Sequence, residues 1–461
     1  MIRYPSPPRR RRRTAPLSVV HPHAAGIDVG ANEHWVAVPG SDPAVVRRFG
    51  ACTADLEQLA DWLAANDVTT VVLEATGVFW IPLFELLESR GFEVRLVDAR
   101  QMRRIPGRPK SDIHDAQWLQ RLHTYGLLAA AFRPEEPVCV LRSYLRQRAM
   151  LVTYAAQHIQ HMQKALTQMN VKLQHVVSDI TGVTGKAIIR AMVAGQRDPL
   201  ELAKLRDDRC RHGEAEIARA LYGNWRAEHL FALKQAVELY DFYRKQMVAC
   251  DRQIEAQLKQ FKDKSGGQPV PPKARRRRRG DNRPVFAARE ALYRMAGVDL
   301  TVIEGIEEST ALVVLSEIGT DMSRWPSAKH FCSWLGLCPN HRISGGRVLS
   351  RRTKPCANHA ATALRLAAQA LHRSQSGLGA FLRRLKARVG APKAITATAH
   401  KLARLVYSLL KHGTAYVTQT MAEYERCYRE RLVRNLVRRA GALGYTLIEK
   451  QTSPPTELAP T

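Results

Sequence analysis

Two stretches of the chain repeat apolar residues every seven positions, and this periodicity restricts the middle of the molecule to long helices more firmly than any other pattern restricts the rest. Leu145, Val152, Ile159 and Leu166 form one series, with Ala155, Met162 and Met169 at the companion position; Arg148 interrupts the first heptad. Leu233, Tyr240, Met247, Ile254 and Phe261 form the second, with Ala236, Tyr243 and Cys250 between. An apolar seam of this kind needs a second helix to cover it. The spacing leaves open whether the two helices pair within one chain or across two.

The N-terminal part follows a different rule. Residues 1–22 are rich in Pro and Arg and read as a basic, disordered arm. From Ala24, short β-type runs at 24–29, 35–38 and 45–46 leading to Phe49 are separated by Gly30-Ala31-Asn32 and by the Pro39–Pro43 turn. A helix over 55–65, a buried strand over 69–73, a helix over 78–89 and a strand over 93–97 complete the alternation. The expected organisation is an α/β domain over 23–136, an all-α, coiled-coil-like region over 137–262 and a Gly/Pro/Arg-rich basic linker over 263–284. A second, mostly helical unit over 285–418 and a helical extension with a disordered tail over 419–461 follow.

Charge limits the function classes. The formal net charge is +29, and removing the two five-arginine runs, Arg9–Arg13 and Arg275–Arg279, lowers it by 10 to +19. The excess is spread through the folded parts, which points to a polyanionic partner, nucleic acid first and an anionic membrane surface second. Val71–Leu87, the most apolar region, is interrupted by Glu74 and Glu85, so no membrane span is expected. No secretory signal is legible, which predicts a cytoplasmic location. The eight cysteines include no CxxC pair and suggest neither a disulfide framework nor a zinc site.

Four carboxylates stand where chemistry could use them. Asp28 closes the first apolar strand just before Gly30, and Glu74 ends the run Val71-Val72-Leu73. Asp112 and Asp115 open an amphipathic helix and, three residues apart, share one of its faces. Four converging carboxylates cannot all ionise without a counter-charge, and a pair of Mg²⁺ ions resolves that conflict with hard oxygen ligands suited to in-line phosphoryl displacement. Individually, Asp112 also reads as a helix-capping residue and Asp28 as a turn residue. The adjacent Arg103, Arg104, Arg108 and Lys110 suit phosphate contacts.

A second constellation lies in the C-terminal unit, where His341-Arg342-Ile343-Ser344-Gly345-Gly346-Arg347 is followed by Arg351, Arg352 and Lys354. Gly345 and Gly346 permit close backbone approach to a phosphate, and Ser344 could attack one. His341 or a metal held by the first domain could take the serine proton, and a plain Ser-Gly turn in a basic loop fits the same residues. Upstream, Gly305 centres a turn before a helix over 310–317, which looks like a helix-hairpin-helix element with turn amides for a DNA phosphate; ordinary packing around Gly305 is the alternative.

Together these segments resemble the transposases of the IS-110 insertion-sequence family, also called DEDD transposases. The N-terminal resemblance lies in Gly26-Ile27-Asp28-Val29-Gly30, Leu73-Glu74-Ala75-Thr76-Gly77 and Lys110-Ser111-Asp112-Ile113-His114-Asp115-Ala116. The C-terminal resemblance runs from Ile303-Glu304-Gly305-Ile306 through Gly336-Leu337-Cys338-Pro339 and Ser344-Gly345-Gly346 to Ala397-Thr398-Ala399-His400-Lys401-Leu402-Ala403. It implies an RNase H-like (RuvC-like) fold for the first domain, with Asp28, Glu74, Asp112 and Asp115 as a Mg²⁺-binding tetrad. It implies that Ser344 is the nucleophile of a covalent phosphoserine link to double-stranded DNA at the element ends and target. It also implies a homo-oligomer in which the tetrad of one subunit faces the serine of another, a nucleoid-associated location and, in some members, a structured guide RNA. A junction-resolving nuclease using the tetrad alone, and a nucleic-acid-binding protein without activity, are the rival readings of the same residues.

Overall fold

The computed structural model describes residues 17–40, 43–75, 77–98, 111–272 and 282–448. These fall into two compact units, one up to Arg133 and one from Pro134 onward.

The first unit is built on a five-stranded mixed sheet of β1 (Ala24–Val29), β2 (Glu33–Val38), β3 (Val45–Gly50), β4 (Thr70–Glu74) and β5 (Glu93–Val97). Their order is β3-β2-β1-β4-β5; β1, β2 and β3 run as an antiparallel meander, and β4 and β5 lie parallel to β1. Strand alternation divides the sheet into two faces. Ala25, Ile27, Val29, Val36, Val38, Val71, Leu73 and Leu96 pack under α1 (Thr53–Ala65) and α2 (Trp80–Ser89). The opposite face, with Val72 and Val97, is covered by α3 (Asp112–Thr124) through Leu119 and Leu122.

α3 is pinned to the sheet by three contacts. A Cβ on Gly26 would lie 2.2 Å from the Gln120 amide nitrogen and 2.6 Å from the Ala116 carbonyl oxygen, so the helix backbone rests directly on β1. Gln117 Nε2 donates to the Ala44 carbonyl at 2.8 Å, and His123 Nε2 lies 2.9 Å from Thr70 Oγ1. Thr70 begins β4 beside Ala24, so the C-terminal end of α3 sits over the start of these strands. Its N-terminus therefore points to the strands' C-terminal ends.

The same contact makes a pH prediction. Thr70 Oγ1 donates to the Glu93 carbonyl at 3.1 Å, which leaves it to accept from His123 and fixes the Nε2–H tautomer of a neutral ring. Burial, the neighbouring His21 ring and Arg95 push the His123 pKa down to about 4, opposed by Glu93. A folded-state pKa below the unfolded value means that the unfolded chain takes up the extra proton, so this stability is present above pH 6.5 and is lost as pH falls from there toward 4. The loss is up to about 3 kcal/mol. Denaturant midpoints for the wild type should fall between pH 7 and pH 5, and His123→Gln should flatten that dependence; equal slopes would refute the assignment.

The second unit opens with α4 (Glu136–Gln168), continues through α5 (Leu173–Val176), α6 (Val183–Val193), α7 (Pro199–Ala203) and α8 (Glu214–Leu221), and returns along α9 (Ala227–Gln260). The long helices α4 and α9 pair with each other within the chain, with the shorter helices packed on the same core through Ile188, Ile189, Met192, Leu202, Ile217 and Leu221. The companion positions Ala155, Met162 and Met169 are buried, whereas Leu145, Val152 and Ile159 are half-buried, so the seam is turned slightly from the leading series. Arg148, the heptad break, is buried in that seam and forms a two-point ion pair with Asp251 of α9, at 2.5 and 3.2 Å. Part of the expected linker is docked rather than loose: Ser265 is buried and the Lys264 amide bonds the Arg294 carbonyl at 2.7 Å. Its arginine run lies outside the described residues.

The remainder comprises α10 (Ala288–Ala296), α11 (Glu308–Ile318), α12 (Ala328–Trp334), a hairpin of β6 (Arg342–Ser344) and β7 (Arg347–Ser350), then α13 (His359–Ala370), α14 (Gly377–Val389), α15 (Ala391–His412) and α16 (Thr414–Ala442). Arg142 of α4 donates to the Ser316 and Glu317 carbonyls at the end of α11, and Arg146 pairs with the buried Glu317 carboxylate at 2.9 Å. No helix among the described residues is long and apolar enough to cross a membrane.

Candidate functional site

Strand register and the seating of α3 put the four acids of the first unit on one face of the sheet. Ile27 pairs with Leu73, so Asp28 and Glu74 are the next residues on two neighbouring parallel strands. Asp28 alternates with Gly26 and Glu74 with Val72, which puts both on the α3 face. Asp112 and Asp115 occupy the first turn of α3, on the stripe that continues through Ala116, Leu119 and His123 onto the sheet. All four therefore belong to one face at the C-terminal end of β1 and β4.

Local chemistry explains why the helix begins there. Ser111 is its N-cap, accepting from the His114 amide at 3.3 Å, and the Asp115 amide bonds the Ser111 carbonyl at 2.8 Å. Acidic residues in a first helical turn are favoured by the helix dipole. Asp28, Glu74 and Asp115 are half-buried, with one Asp115 carboxylate oxygen fully buried, and Asp112 is exposed. Among the described residues, no three His, Cys, Asp or Glu side chains stand close enough to hold a metal ion as placed. The set is gathered on one edge but not drawn into a cluster; its donors are carboxylate oxygens alone, the chemistry of a hard divalent cation such as Mg²⁺ rather than of zinc. Arg103, Arg104, Arg108 and Lys110 lie outside the described residues.

The serine segment is a β-hairpin, not the loop expected within a mostly helical unit. Ser344 pairs with Arg347 and Ile343 with Val348, and the register slips by one residue at Arg342, which pairs with Ser350. Gly345 and Gly346 form a two-residue turn with φ of +53° and +75°. A Cβ at either would meet nothing within 4 Å, so glycine is needed here for its backbone conformation and not for space. Ser344, Arg342, Arg347, Arg351 and Arg352 are all exposed. Cross-strand pairs share a face, so Ser344 lies with Arg347 while Ile343 and Val348, 63% and 41% exposed, lie together on the other.

Gly305 takes a φ of +88° in a turn between a short 3-10 segment, Leu300–Val302, and α11. A Cβ there would lie 3.0 Å from the Ala367 carbonyl oxygen, so the turn is set against α13 inside the unit. Asn358 caps α13 by accepting from the Ala361 amide at 3.2 Å.

Two family models match the chain. Residues 25–171, which include all four acids, match a model described as Transposase. Residues 297–383, which include Gly305 and the serine hairpin, match the Transposase IS116/IS110/IS902 family. No curated protein matches the chain.

Proposed function

The chain belongs to the IS110 family of transposases, and from that premise we propose that it breaks and rejoins double-stranded DNA with a Mg²⁺-dependent carboxylate set and a serine nucleophile. The observation that carries the reading is that Asp28 and Glu74 end neighbouring parallel strands on the sheet face covered by the helix whose first turn holds Asp112 and Asp115. The β3-β2-β1-β4-β5 sheet with helices on both faces supports an RNase H-like (RuvC-like) description of the first unit. Asp28, Glu74, Asp112 and Asp115 would hold the ions, which when bound supply charge stabilisation at the scissile phosphate.

Ser344 Oγ attacks the phosphorus; the Oγ–P bond forms as one sugar P–O bond breaks, and the serine proton goes to the departing sugar oxygen. Rejoining runs the same exchange in reverse with the hydroxyl of a second strand. Arg342, Arg347, Arg351 and Arg352 hold the phosphate backbone through charge-assisted bonds, and the Gly345–Gly346 turn presents Ser344 at the tip of the hairpin. Arg103, Arg104 and Lys110 are further backbone contacts in this reading. The working form is a homo-oligomer, and a structured RNA encoded beside the element directs the choice of DNA.

The test is incubation with DNA carrying the element junction, Mg²⁺ and the flanking transcript, followed by denaturing electrophoresis. A protein-linked DNA band is expected from the wild type, none from Ser344→Ala, and none from Asp115→Asn. Cleavage by Ser344→Ala at the wild-type rate would replace the serine reading with a nuclease using the carboxylates alone. Omitting the transcript without effect would remove the RNA.

A further inference from the structure

Between Asp321 and Glu423 the chain carries seventeen Lys and Arg residues and no Asp or Glu. The fold gathers four of the cations in that region and just beyond it: Arg384 on α14, Lys401 and Arg404 on α15, and Arg431 on α16. Lys401 Nζ stands 4.3 Å from the centroid of the Phe381 ring, and the Arg384 guanidinium carbon stands 6.0 Å from the same centroid, so two cations share one aromatic side chain. Arg404 lies three residues beyond Lys401 on the same helix face. α16, which carries Arg431, packs on both α14 and α15. Arg384, Arg404 and Arg431 are exposed around a half-buried Lys401.

The elements that carry this group supply few acids: none lies on α14 or α15, and two on α16 are engaged by other groups. Glu425 accepts from the Gly377 amide at 2.6 Å, and Glu430 lies 3.9 Å from Arg426. Burial, followed by Arg384, Arg404 and Arg431, lowers the Lys401 pKa. The Phe381 ring face offsets part of the repulsion. Like charges held together raise the free energy of the free protein, and a polyanion reverses that sign by replacing repulsion with attraction and releasing its own counterions.

We propose that Arg384, Lys401, Arg404 and Arg431 form a binding site for the phosphodiester backbone of double-stranded DNA, outside the hairpin that carries Ser344. Three exposed guanidiniums on three helices spread their charge over a surface. That arrangement suits the repeated charges of a duplex, and the planar guanidinium fork matches phosphate oxygens. The site rests on the reading of the chain as a DNA transposase but not on the serine or the metal.

The test uses full-length protein carrying Ser344→Ala in buffer with EDTA, so that cleavage plays no part with or without the serine chemistry, and compares it with the same protein bearing Arg384→Gln and Arg404→Gln. Duplex binding is measured by fluorescence anisotropy over a range of salt concentrations, and thermal unfolding is measured without DNA. Two lost phosphate contacts should weaken binding at low salt about tenfold or more and lower the slope of log K against log salt by about 1 to 2. The unfolding temperature without DNA should rise, because like charges have been removed; a residue with a merely structural role would lower it. An unchanged slope, a fall in unfolding temperature or a loss confined to RNA would overturn the proposal. So would an equal loss from Arg219→Gln with Arg252→Gln, which removes the same charge elsewhere.

Discussion

Replacing Gly26 with alanine should reduce DNA strand cleavage by a hundredfold or more while leaving the rest of the fold in place. The added Cβ would sit 2.2 Å from the Gln120 nitrogen, 2.6 Å from the Ala116 oxygen and 2.8 Å from the Gln120 Cα, all backbone atoms of α3. No side chain can swing aside, so the helix itself must lift by about 1 Å to restore ordinary contact. Asp112 and Asp115 travel with it, whereas Asp28, two residues along β1 from Gly26, and Glu74 do not. A misplacement of about 1 Å in a catalytic constellation costs on the order of 10²-fold in rate, and overpacking adds about 1–3 kcal/mol of destabilisation. Gly213→Ala is the control, since its Cβ would meet nothing within 4 Å. Cleavage of junction DNA and far-ultraviolet circular dichroism together check the outcome. A folded Gly26→Ala protein with wild-type cleavage would mean that the four acids do not work as a set.

The second large effect concerns stability. Arg148→Met leaves Asp251, 1% exposed, without its guanidinium partner; the Val285 amide, at 3.3 Å, still donates to its carboxylate. Removing one member of a buried ion pair costs about 3–5 kcal/mol, because the survivor's charge stays out of water. The Asn282 carbonyl loses a donor as well. Changing both residues together, as Arg148→Met with Asp251→Leu, removes the stranded charge and should recover most of the loss. Urea unfolding followed by helical circular dichroism separates the two cases; a single variant as stable as the wild type would show that the pair contributes nothing to the seam.

The legibility of these features follows the range of the interactions behind them. Asp28 and Glu74 could be placed at strand ends from sequence because the apolar runs preceding them stop there, and Asp112 and Asp115 at a helix start because amphipathic spacing follows them; the cap itself falls on Ser111, one residue before Asp112. Their placement on one sheet face needed strand register and the seating of α3, which depend on Gly26 approaching residues far along the chain. The long helices were legible from a period of seven, but their pairing within the chain was not, and Arg148 looked like a flaw because its partner lies on α9. The serine hairpin escaped because its strands are short and exposed, so no burial pattern marks them; Gly345–Gly346 between Ile343 and Val348 was the available sign. The cationic group on α14, α15 and α16 is assembled by packing, although the absence of acids between Asp321 and Glu423 is written openly in the sequence.

The two sides of the first sheet can evolve separately. Leu59, Leu63, Leu83 and Leu87 seal one side through side-chain interdigitation, which tolerates compensating changes of volume. The other side seats its helix main chain against main chain at Gly26, where no compensation exists. Directed evolution for heat resistance should therefore harvest its gains beneath α1 and α2, and homologues that drift freely there should still keep the spacing between the strand ends and the start of α3.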